Sequence, residues 1–109
     1  MSEYTPDNWV MIKCEAVEGT YYKIIGGWSG GYTSGSSWRV NSGVVKAEET
    51  ENFYHFQGSS GSVYICGKDS NVIRMNMSRI VALATNVEGC SVVEDVDYMK
   101  IDYNEGERL

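Results

Sequence analysis

The chain has 109 residues, 42% of them hydrophobic, with eight tyrosines, twelve glycines and a single proline, Pro6; this excludes a disordered or collagen-like chain and suits one compact domain with its own core. The formal charge of −6 is unevenly placed, because residues 1–85 hold eight acidic and seven basic side chains whereas residues 86–109 hold seven and two. A chain so biased is repelled by phosphate backbones, so direct nucleic-acid binding is excluded as the expected function class, and residues 86–109 read as an acidic C-terminal segment of a single β-rich domain, 1–109.

In chain order, residues 1–9, MSEYTPDNW, lack the basic and apolar regions of a secretory signal, and no later run approaches the roughly 18 apolar residues that span a bilayer. A soluble cytoplasmic protein with no membrane association is expected. Residues 9–17 place Val10, Ile12, Cys14 and Ala16 on one face and Lys13 and Glu15 on the other, the period of a half-buried strand. A turn at Glu18-Gly19 leads to a second strand over residues 20–25, TYYKII, and the two read as a hairpin. Residues 37–47 read as a strand interrupted near Gly43, where glycine marks a bulge or a close backbone approach. Further strands are expected over residues 53–57, 62–66 and 72–77, separated by polar turns at 48–52, 58–61 and 68–71. Residues 78–86 read as a short helix capped by Ser78, with a strand as the alternative, and alternation of Met99, Ile101 and Tyr103 with Lys100 and Asp102 predicts a last strand. Short strands at this spacing predict a mainly β fold, a small antiparallel barrel or curled sheet.

Cys14, Cys66 and Cys90 are odd in number, far apart in sequence and never in a Cys-x-x-Cys pair, so reduced thiols are expected rather than a disulfide framework or a metal site. Gly27-Trp28-Ser29-Gly30-Gly31 has the letters of a nucleophile elbow without its strand–turn–helix context, and His55 has no acidic partner at a recognisable spacing. Gly30 to Gly35 has the spacing of a phosphate loop, but Ser36 stands where a lysine belongs. The reading is therefore non-catalytic, with no cofactor and no metal.

What remains is residues 26–43, GGWSGGYTSGSSWRVNSG, joined by the later Gly58-Ser59-Ser60-Gly61-Ser62-Val63-Tyr64. Aromatic rings stack on a planar ligand, arginine forks onto anionic oxygens, and serine, asparagine and glycine-flanked amides add short hydrogen bonds. The candidate ligand-binding residues are Trp28, Ser29, Tyr32, Trp38, Arg39, Asn41, Ser42, Ser60 and Tyr64, with a small nucleotide-like molecule as the ligand. Against this, Trp38 and Val40 alternate with Arg39 and Asn41, so a core-facing Trp38 beside a solvated Arg39 is the plain alternative. A different class of function follows from the acidic segment: Glu94, Asp95, Asp97, Asp102, Glu105 and Glu107 would form a surface for docking on a basic protein surface.

Through Asp7-Asn8-Trp9-Val10, Gly27-Trp28-Ser29-Gly30-Gly31-Tyr32, Ser37-Trp38-Arg39-Val40-Asn41-Ser42-Gly43, and Gly61-Ser62-Val63-Tyr64 with Cys66, the chain resembles a group of small proteins encoded by large tailed bacteriophages, cyanophages among them. The resemblance spans residues 7–77. It implies a viral protein acting in the host bacterial cytoplasm, antagonising a host defence by sequestering a nucleotide signal or by binding a defence protein or nucleic-acid-processing protein. Sheet edges offer a route to a homo-oligomer.

Overall fold

The computed structural model describes residues 2–31, 35–94 and 96–103, the side chains of residues 29–31, 35–36 and 75–76 excepted. The fold is mainly β, as the periodicities predict, with two sheets that curl over one another and do not close into a barrel. Strands β1 (Glu3–Tyr4), β7 (Val63–Gly67), β6 (Phe53–Gly58) and β5 (Val44–Glu49) form one sheet in that order. The other has the order β4 (Gly35–Val40), β3 (Gly19–Gly31), β2 (Asn8–Ala16) and β8 (Cys90–Val93). Helix α1 (Met75–Thr85) packs on the outer face of the second sheet.

The period-2 pattern of β2 explains the layering. Trp9 and Met11 face inward and join Ile24, Val44, Phe56, Tyr64 and Cys66 in the core between the sheets, while Val10 and Ile12 face outward and are covered by Met77 and Val81 of α1. Trp9 is the hub of the inner core: fully buried, it donates its indole N–H to the Gly67 carbonyl at 2.7 Å and meets the rings of Tyr54, Phe56 and Tyr98 at 6.1, 5.5 and 5.3 Å. A buried ring with its polar atom satisfied gives large apolar burial without an orphaned donor.

Four expected elements differ. The strand over 37–47 is two strands in different sheets, because Asn41 accepts the Ile24 N–H on Oδ1 at 2.9 Å while its own N–H reaches the Ile24 carbonyl, ending the pairing of β4 with β3 before the chain crosses over. Residues 72–74 are not a strand; α1 begins at Met75 after Arg74, so Ser78 lies inside the helix rather than at its cap. The alternation over 99–103 is not a strand either: residues Tyr98–Lys100 form a 3-10 turn capped by the Asp97 carboxylate, which accepts the Met99 N–H at 3.0 Å. In its place β8, unread in the acidic segment, pairs with β2. Among the described residues no helix is long and apolar enough to cross a membrane.

Candidate ligand-binding site

Two glycine- and serine-rich turns meet beside β5. Gly43, at φ +133°, lets the chain swing from β4 into β5, and Gly61, at φ +95°, closes the turn between β6 and β7. They are clasped together: Ser60 N–H donates to Ser42 Oγ at 3.0 Å, the two serine hydroxyls lie 3.2 Å apart, and Ser59 N–H donates to the Gly43 carbonyl at 2.9 Å. Gly58 permits this approach, since a Cβ there would stand 3.0 Å from Ser42 Oγ. Asn41, only 5% exposed, points its Nδ2 at the same place, 3.5 Å from that Cβ position, and this nitrogen has no hydrogen-bond partner among the described residues.

Between these turns and Tyr21, Tyr22 and Tyr103 lies a pocket of about 460 Å³, floored by Val44, Val45 and Gln57. Among the described residues no carboxylate, amine or guanidinium lines it. A second hollow of about 550 Å³ adjoins it across Val45, Gln57 and Tyr103 and adds Lys46, Met99, Ile101 and Asp102. Val45 reaches both because the register between β5 and β6 shifts between Val44 and Lys46, a bulge that re-aims one side chain. Tyr103 is held in place by donating its hydroxyl proton to the Tyr98 carbonyl at 2.7 Å and by edge-on packing against Tyr22 at 5.4 Å. Burial pushes this hydroxyl well above its ordinary pKa, so it stays a neutral donor.

The predicted residues fall into three places. Ser42 and Ser60 belong to the clasp and Asn41 lies beneath it. Trp28, Arg39 and Tyr64 gather instead around Tyr4 of β1. The Arg39 guanidinium sits 4.4 Å from the Tyr4 ring centre, Tyr64 lies 5.2 Å and Trp28 6.4 Å from it, and the Trp28 indole N–H donates to the Thr5 carbonyl at 3.1 Å. Tyr64 is fully buried; burial pushes its hydroxyl up to about 12, with the Arg39 charge pulling the other way. These side chains fasten the N-terminal strand across the sandwich. Gly26 belongs to the same arrangement, because a Cβ there would lie 2.9 Å from Pro6 Cβ.

Trp38 is 51% exposed on the helix-facing side of β4, next to Arg79, Ile80 and Leu83. It is therefore not the core residue of the plain alternative, and Arg39, though exposed, is engaged on Tyr4. The Ser29 side chain and the whole of Tyr32 lie outside the described residues, as do Asp95, Glu105 and Glu107. Of the acidic set, Glu94 is exposed, Asp97 caps its turn and Asp102 lines the second hollow. Sequence reasoning missed Tyr21, Tyr22, Gln57 and Tyr103, which were read only as strand residues; the available signal was the pair of glycine–serine turns that they face. His55 shares a small hollow with Glu3, Lys46 and Glu48, and among the described residues no three His, Cys, Asp or Glu side chains are placed to hold a metal ion. No family model, curated protein or solved structure matches the chain.

Proposed function

We propose that the chain is a non-catalytic binding module that holds a small nucleotide-like molecule in the tyrosine-lined pocket. The observation that carries this reading is the convergence of three tyrosines and two clasped glycine–serine turns on one concavity of about 460 Å³, within the usual size range of small-molecule sites. Tyrosine rings offer faces for a planar base, Gln57 offers both a donor and an acceptor for its edge, and the serine and glycine backbone suits hydroxyl groups. Among the described residues the lining is uncharged, and Lys46 in the adjoining hollow offers a cation for a phosphate. Joined to the resemblance to phage proteins, the reading makes the role capture of a host nucleotide signal in the infected bacterial cytoplasm, without turnover.

Among the described residues the acidic-surface alternative draws less support, since Asp97 is used in capping and Asp102 lines a hollow. Isothermal titration with mononucleotides, dinucleotides and cyclic dinucleotides tests the first reading. At least one should bind with Kd unaffected by Trp38→Ala, while Tyr21→Ala weakens it roughly 10- to 100-fold, the scale of one lost stacking contact. Failure of every nucleotide to bind, or unchanged binding by Tyr21→Ala and Gln57→Ala, removes the pocket from consideration.

A further inference from the structure

We propose that Cys14 and Cys90 form a redox-responsive dithiol, which closes to a disulfide by exchange with a low-molecular-weight disulfide such as oxidised glutathione and so ties β8 covalently to β2. The register sets the pair directly opposite one another across the antiparallel β2–β8 ladder. The hydrogen bonds show which kind of pair it is. Glu15 N–H donates to the Gly89 carbonyl at 2.9 Å, whereas Cys90 N–H turns away to the Val87 carbonyl at 3.1 Å. Cys14 and Cys90 therefore occupy a non-hydrogen-bonded position, where facing Cα atoms approach to about 4.5 Å and side chains leave the same face. That separation falls within the roughly 4.4–6.8 Å range that a disulfide bridges without backbone movement.

Three further observations fit. Both cysteines are partly buried free thiols, and their side chains hydrogen-bond to each other. Gly89 brings the strands this close: its φ is +88°, and a Cβ would lie 2.5 Å from the Glu15 carbonyl oxygen. Cys66 is fully buried in the other core, which keeps it out of the exchange. The reaction balances without any other reactant. One cysteine thiolate attacks glutathione disulfide and releases one glutathione; the second thiolate attacks the protein sulfur of the mixed disulfide and releases the other. Two protein thiols lose two electrons and two protons, and one glutathione disulfide becomes two thiols. Burial first, and the hydrogen bond to Cys90 next, push the Cys14 thiol up to about 11, with Lys23 pulling the other way, so closure is slow near neutrality.

Closure matters because β8, among the described residues, is an edge strand paired with β2, and it precedes residues 96–103, which send Tyr98 and Tyr103 into the inner core. The test incubates the native full chain with oxidised glutathione at mildly alkaline pH, maps peptides without reduction by mass spectrometry, and records thermal unfolding with and without dithiothreitol. A Cys14–Cys90 linkage with Cys66 unmodified is expected, with Tm raised by roughly 10 °C or more and restored by reductant. Cys14→Ser and Cys90→Ser should each show no linkage and carry a glutathione adduct on the remaining thiol of the pair. Stable adducts on both cysteines of the native chain, or linkage only between molecules, overturns the pairing. Linkage without a rise in Tm overturns the claim that it secures β8.

Discussion

Trp28 illustrates how a single residue departs from its local context. Within a glycine-rich stretch it reads as a ring waiting for a ligand, yet its indole N–H is bound to Thr5 and its ring packs edge-on to Tyr4. Trp28→Ala should therefore lower stability by about 1–3 kcal/mol, from one lost hydrogen bond and partial loss of apolar burial. Urea unfolding measures the loss, and amide exchange locates it: Val63 N–H, which donates to the Ser2 carbonyl beside β1, should exchange faster. Unchanged stability together with lost ligand binding would return Trp28 to the site. The reason for Gly26 was not legible locally because its neighbour, Pro6, lies outside any short window. By contrast Ser42 and Ser60 were identifiable as polar turn residues, although their mutual hydrogen bonds depend on how β5 and β6 pair.

Among the elements, β2, β6, β7 and the first part of β3 were legible because strict alternation or β-branched and aromatic runs leave few competing structures, whereas residues 26–31, whose glycines suggest a loop, continue β3. Residues 99–103 alternate equally well and still form no strand, since Met99 and Lys100 belong to a turn fixed by the Asp97 cap. The irregular segment follows the alternation only in part: Tyr103 is buried and Ile101 half-buried, but Met99 is exposed. For β8, four residues amid acidic neighbours carry too little pattern, and its pairing depends on the turn at Gly89. Gly89→Ala should cost about 1–3 kcal/mol or more, because a left-handed backbone and a close approach to Glu15 O act together. Gly61→Ala has a similar φ but open space around it, so only the backbone term of about 1 kcal/mol remains. Thermal unfolding of the two variants side by side tests the difference, and equal losses would mean that the β8 approach relaxes freely.

For the whole molecule, buried neutral acids set the alkaline limit. Burial raises Tyr64 to about 12 and lifts Tyr103 and Cys66 as well. Each is held protonated in the folded state, so its contribution is complete below the unfolded-state pKa and is lost as pH rises toward the folded value. Stability should stay level to about pH 9 and then fall steadily toward pH 12. Denaturant midpoints across that range provide the measurement, and a flat profile would show that these hydroxyls and the thiol reach water. Tyr64→Phe should soften the decline by removing one of the raised groups, to which the Cys14 thiol also belongs.

The position of Trp9 also shapes the time course of folding. Its indole partner Gly67 is 58 residues away along the chain, and Tyr98, one of its closest ring neighbours, lies further still. The centre of the core thus cannot nucleate on nearby sequence; the chain must close long loops before this ring gains most of its contacts. Such a molecule collapses late, on the millisecond-to-second scale of non-local β proteins, and until then carries an exposed indole that neighbouring unfolded chains can capture.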